Sequence, residues 1–176
     1  MDVDLSGLNS QDPCLRAETF RLLRHEYDPF VGESLVAAFI RETSPGVWWI
    51  ASICVMPIWL PVLDRQLRKL PAWPFSGAQT IQVLQLANGR MLHSGTKIPT
   101  NWLDHPGWEY RFAAFRWLQV GDSSGAALEA ARHLLDKIDA EFRVSEEDRS
   151  DFWMDDFNNL EKRKLELLEY VAEAGE

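Results

Sequence analysis

Several groups of residues in this chain have the types and spacing that catalysis or ligation requires. Asp104 and His105 are adjacent, and a loop histidine beside a carboxylate can be held as a general base near neutral pH, with His93 as a further candidate. The run Asp104-His105-Pro106-Gly107 is equally good turn chemistry, and sequence neighbours seldom orient each other's side chains. Cys54 with His93 or His105 would supply a thiol and its base, but Cys54 sits in an apolar run where a cysteine is normally inert. Ser94-Gly95-Thr96-Lys97 holds the residue types of a phosphate loop without their order, so no nucleotide site and no cofactor is expected. His133, Asp136 and Asp139 approximate one helical face, and Asp151, Asp155 and Asp156 offer oxygen ligands of the kind Mg²⁺ or Ca²⁺ takes. Acidic residues in a helix's first turn more often partner the helix dipole, so no metal is expected.

Binding is better represented than catalysis. The chain carries 8 Trp in 176 residues, and tryptophan anchors interfaces through its large area and its edge donor. Trp102 and Trp108 bracket the Asp104-His105 loop, where at least one indole should stay partly exposed. Trp108 and Trp117 with Arg111 and Arg116 form a candidate face for stacking single-stranded bases. The formal net charge of -9 opposes that use, because phosphate binding draws its affinity from Lys and Arg. Most of the acidity falls after Glu141, and Glu146, Glu147, Asp148, Asp151, Asp155 and Asp156 mark an acidic face suited to a basic protein.

The elements expected to position these residues form an α+β fold. Residues 1–11 are polar and aperiodic and read as a flexible arm, and residues 12–176 read as one domain, acidic and helical from about 141 onward. A helix begins at Pro13 behind Asp12 and reaches about Tyr27. Leu35 to Thr43 and Val47 to Val55 are predicted to pair as a hairpin around Ser44-Pro45-Gly46, the second arm apolar on both faces and central in its sheet. A short helix from Trp59 to Leu70 follows, and Asn88-Gly89 predicts a second hairpin between Thr80 to Ala87 and Arg90 to Ser94. Trp108 to Val120 completes the sheet as a long strand bulged at Ala113-Ala114. Two helices close the chain, one capped by Ser123 or Ser124 and ending near Phe142, the other from Asp151 to about Ala172 with a regular apolar seam. The sum is an antiparallel sheet of four to five strands, two hairpins plus one long strand, packed against N-terminal and C-terminal helices.

From Gly46 to Leu63 there are 18 residues without a charge, close to the shortest span that crosses a bilayer. Pro57 and Pro61 within it argue against a spanning helix, so the stretch reads as core or interface and a membrane partner is not expected. The acidic start Met1-Asp2-Val3-Asp4 lacks the basic character of a targeting leader, which predicts a cytoplasmic protein. The two cysteines form no CxxC pair and indicate neither zinc nor a disulfide framework. The leading expectation is a non-catalytic protein-binding module, such as an inhibitor, immunity or assembly factor. A small enzyme with a pocket near His93, Asp104 and His105 is the alternative, single-stranded nucleic-acid binding a further one. Self-association through the last helix is open.

Overall fold

The computed structural model of this protein describes residues 3–87, 98–121, 125–143 and 151–175, with side chains at 100 and 151–159 left out. Among the described residues every regular element is helical and there is no strand, so the expected α+β sheet is replaced by an all-α architecture. The residues fall into two compact units, 1–99 and 100–176.

The first unit contains a 3-10 turn over Ser6–Asn9 and helices α1 (Pro13–Leu23), α2 (Pro29–Arg41), α3 (Pro45–Leu67) and α4 (Gly77–Ala87). The first three helices start the same way, with Asp12, Asp28 or Ser44 at the N-cap and proline next. Proline's missing N–H costs nothing in a first turn, and its fixed φ suits one. Asp12 accepts from the Cys14 N–H at 2.9 Å and Asp28 from that of Phe30 at 2.8 Å. The expected hairpin is therefore a pair of helices: Ser44-Pro45-Gly46 is the start of α3, not a β-turn. Apolar residues on both parities of Val47 to Val55 reflect a helix covered on most sides, since α3 packs against α1, α2 and α4.

Helix α3 continues through the segment expected as a separate helix from Trp59, broken only by a kink at Trp59 (φ -104, ψ 16) between Pro57 and Pro61. The Trp59 ring lies against the Gly32 backbone so closely that a Cβ built there would fall 2.3 Å from Cε3. A cluster of Phe39, Trp48 and Phe75 with ring centroids 5.2 to 5.6 Å apart fills the other end of the unit. The first arm of the Asn88-Gly89 hairpin is likewise helical. Ser76 and Gln79 form a reciprocal capping box, Ser76 Oγ accepting from the Gln79 N–H at 3.2 Å and Gln79 Oε1 from the Ser76 N–H at 3.0 Å. Thr80, Val83, Leu84 and Ala87 are the buried face of α4. Asn88-Gly89 and Arg90 to Ser94 lie outside the described residues. Of the residues expected as an arm, Leu8 is buried.

A bidentate ion pair ties three segments of this unit. Arg16 Nε and Nη2 donate to the two Glu42 oxygens at 2.8 and 2.9 Å, while Nη1 donates to the Ser10 and Gln11 carbonyls. Glu42 Oε1 also accepts from the Thr43 and Ser44 N–H groups. The cavity of about 270 Å³ lined by Arg16, Arg41 and Glu42 thus surrounds a network whose donors and acceptors are matched within the fold.

The second unit contains a 3-10 turn over Thr100–Asp104 and helices α5 (Trp108–Gly121), α6 (Ala126–Phe142) and α7 (Asp151–Ala174). The segment expected as a bulged strand is α5. Trp108, Phe112 and Phe115 recur at steps of four and three, and the apparent phase slip at Ala113-Ala114 is two buried small residues on the helix. Helix α6 packs on both α5 and α7 through Ala127, Ala130, Ala131, Leu134 and Ile138. Its N-cap is Gly125 at φ 79, a left-handed conformation that suits glycine; Ser123 and Ser124 lie outside the described residues. From Leu160 onward the seam expected on the last helix packs against helices, not a sheet: Leu160 and Leu167 are buried, while Leu165 and Leu168 are exposed.

Candidate functional site

The start of α5 gathers several of the residues singled out for chemistry. Asp104 ends the 3-10 turn, 66% of its side chain exposed, and points away from His105. Its Oδ1 lies 3.0 Å from His133 Nε2 and 3.0 Å from Lys137 Nζ, both on α6. The Lys137 contact, followed by that of His133, holds the Asp104 carboxyl below the usual carboxylate range. His105 instead accepts at Nδ1 from the Gly107 N–H at 3.0 Å, closing the turn, and lays its ring 4.1 Å from that of Tyr110. No acid–base dyad forms between the two adjacent residues. His93 lies outside the described residues.

Aromatic packing fixes the remainder of this face. The Tyr110 ring meets Trp102 edge-on at 4.9 Å, and Arg111 Nε donates to the His105 carbonyl at 2.5 Å. The same guanidinium covers the Trp108 ring at 4.2 Å, and Trp108 stacks on Phe112 at 5.5 Å. Trp102 and Trp108 are half-buried, each presenting part of a ring whose rotamer its neighbours hold. Arg116, expected to share a face with Arg111, faces acid: it lies 2.8 Å from Gln119 and 3.5 Å from Glu166. With no sheet to carry them, Trp108, Arg111, Arg116 and Trp117 are α5 residues.

The other constellations disperse. His133 pairs with Asp104, and Asp139 accepts from Lys164 at 2.5 Å, so the His133, Asp136 and Asp139 group is not assembled around a common point. Among the described residues no cluster of His, Cys, Asp and Glu fits a metal ion. Asp151, Asp155 and Asp156 belong to α7, their side chains outside the description, and Glu146, Glu147 and Asp148 lie outside the described residues altogether. Cys54 is buried on α3, and burial pushes its thiol up, against the opposing pull of Arg24 and Arg21. A thiol raised in this way is a poor nucleophile.

The sequence reading missed two features. The Asp104, His133 and Lys137 contact joins residues 29 and 33 positions apart, for which no local signal exists. On α3, Gly46, Trp49, Ile53, Pro57 and Pro61 form one exposed stripe; helical spacing would have revealed it had the segment been read at period 3.6. A shallow groove of about 220 Å³ borders this stripe, lined by Arg24, His25, Ile53, Cys54, Pro57 and Ile58.

Comparison with known proteins returns no match: no family model fits the chain, and no curated protein and no solved structure is similar to it.

Proposed function

We propose that this protein is a non-catalytic, cytoplasmic protein-binding module that recognises a basic partner through the face around Trp102, Asp104 and Trp108. One observation carries this reading: half-exposed aromatic rings at the start of α5 are locked by His105, Tyr110, Arg111 and Phe112 before any partner arrives. Ordered anchors lose little side-chain entropy on binding, which is what energetic centres of interfaces require. Charge supports the sign of the partner. Residues 100–176 hold 18 Asp and Glu against 9 Lys and Arg, so the whole net charge belongs to this unit. An inhibitor, immunity protein or assembly factor works by such contact alone.

The test compares wild type with a Trp102→Ala, Trp108→Ala variant as baits in native extract, at low and raised salt. Polypeptides of basic isoelectric point captured by wild type, reduced at least tenfold by the double substitution and weakened by salt, would support the proposal. Identical capture by both baits would overturn it.

A further inference from the structure

The exposed stripe of α3 has no role in the face described above, yet it is a continuous apolar feature on the first unit. Trp49 is 50% and Ile53 49% exposed, Gly46, Pro57 and Pro61 continue the same side, and Ile50, Ile58 and Leu60 flank it half-buried. At about 1.5 Å per residue the stripe runs on the order of 24 Å along the helix, and it contains no charge. The opposite side of α3 is occupied: half of its most apolar 18-residue window is buried against the unit.

We propose that this stripe seats on the surface of an anionic lipid bilayer, with α3 lying in the plane of the interface. A helix buried on one side and apolar on the other meets lipid along one face, the interfacial mode; spanning would require α1, α2 and α4 to leave it. The rim supplies the charge complementarity. Arg24 and His25 line the groove beside Ile53 and Pro57, and Arg21 lies three residues before Arg24 on α1, the helix that packs against α3. Three basic side chains elsewhere in this unit have carboxylate partners: Arg16 has Glu42, Arg65 has Glu33, Arg68 has Asp64. Arg21 and Arg24 have no carboxylate partner among the described residues; Arg24 Nε donates to His25 Nε2 at 2.9 Å, which leaves its terminal nitrogens and the Arg21 guanidinium for phosphate headgroups. The unit carries nine acidic and nine basic residues up to Pro99, so its own net charge is zero and the chain's -9 lies in residues 100–176.

Two other occupants fit less well. A protein partner would need hydrogen bonds to fix its register, about one per 100 to 200 Å², and the stripe offers no polar side chain. A second copy seated through a two-fold axis would bring the same arginine rim against itself.

The experiment is co-sedimentation of the full chain with vesicles of phosphatidylcholine alone and of phosphatidylcholine mixed with phosphatidylglycerol. Wild type should sediment with the mixed vesicles and not with the neutral ones. Arg21→Gln with Arg24→Gln should weaken partitioning about thirty-fold, from roughly fivefold per cation. Ile53→Asp, at an exposed position and with its fold checked by circular dichroism, should abolish it. Failure of wild type to bind either vesicle, equal binding to both, or undiminished binding by Ile53→Asp would each overturn the proposal. So would sedimentation velocity showing a dimer that Ile53→Asp dissociates while no vesicle is bound.

Discussion

Replacing Gly32 by alanine tests whether the packing of α2 on α3 is as tight as the structure shows. In an open helix position glycine to alanine stabilises by up to about 1 kcal/mol, because alanine has less backbone freedom to lose. At position 32 the new Cβ would lie 2.3, 2.4 and 2.6 Å from three atoms of the Trp59 ring. Ordinary carbon contacts are about 3.5 to 4.0 Å, so the indole must retreat by roughly 1.3 Å. It has little room to do so, being buried at a kink whose neighbours Pro57 and Pro61 fix φ on either side. Overpacking of this kind costs about 1 to 3 kcal/mol, and a confined ring belongs at the upper end, leaving a net loss of about 2 kcal/mol after the helix gain. Gly46 is the internal control: a Cβ there meets nothing within 4 Å, so Gly46→Ala should stabilise by about 0.5 kcal/mol. Urea unfolding of both variants measures the contrast, and a Trp59→Leu background should shrink the cost of Gly32→Ala. If Gly32→Ala stabilises the protein as Gly46→Ala does, the close approach of indole to backbone is wrong.

Removing Ser76 by Ser76→Ala should cost about 1 kcal/mol and speed amide exchange at Gln79, whose N–H it caps. Arg16 above all, then the Ser44 and Thr43 N–H groups, hold the Glu42 carboxyl below its ordinary range against the opposing effect of burial. That stabilisation is therefore complete above the unfolded carboxylate pKa and is lost as pH falls through the lower folded value. The stability gap between wild type and Glu42→Gln, measured by urea titration, should narrow steadily on acidification below about pH 4.3. Exposed Cys14 should react with a thiol reagent in the native protein, whereas buried Cys54 should react only on unfolding, giving one fast thiol and then two. Substituting Lys137→Gln should move the Asp104 titration, followed by NMR, up toward the ordinary carboxylate range.

The helices legible in the sequence are those with polar residues between their apolar ones. Leu134 and Ile138 of α6, and Leu160 and Leu167 of α7, sit in a charged background that makes the 3.6-residue period visible. Helices α2 and α3 lack such a background, because α3 is apolar almost all round and any period can be drawn through it. Tryptophan, isoleucine and valine then favour a strand on propensity, and tertiary burial overrides propensity. Proline after serine or aspartate was the available correction: Asp12-Pro13 read as a helix start applies unchanged to Asp28-Pro29 and Ser44-Pro45. Asn88-Gly89 is a strong local hairpin signal, but the capping box at Ser76 and Gln79 a few residues upstream starts a helix instead. At the candidate site, the adjacency of Asp104 and His105 was visible but their divergence was not, since it depends on α6 bringing His133 and Lys137 to the same carboxylate.

Arg16 couples distant parts of the first unit. Its guanidinium grips Ser10, Gln11 and Glu42 together, and Glu42 in turn holds the Thr43 and Ser44 amides where α3 begins. The lead-in to α1 and the hinge between α2 and α3 therefore cannot loosen independently. Fraying at Ser10 and Gln11 would be felt through the Arg16–Glu42 pair, whose members are 26 residues apart, as faster solvent exchange at the threshold of the central helix.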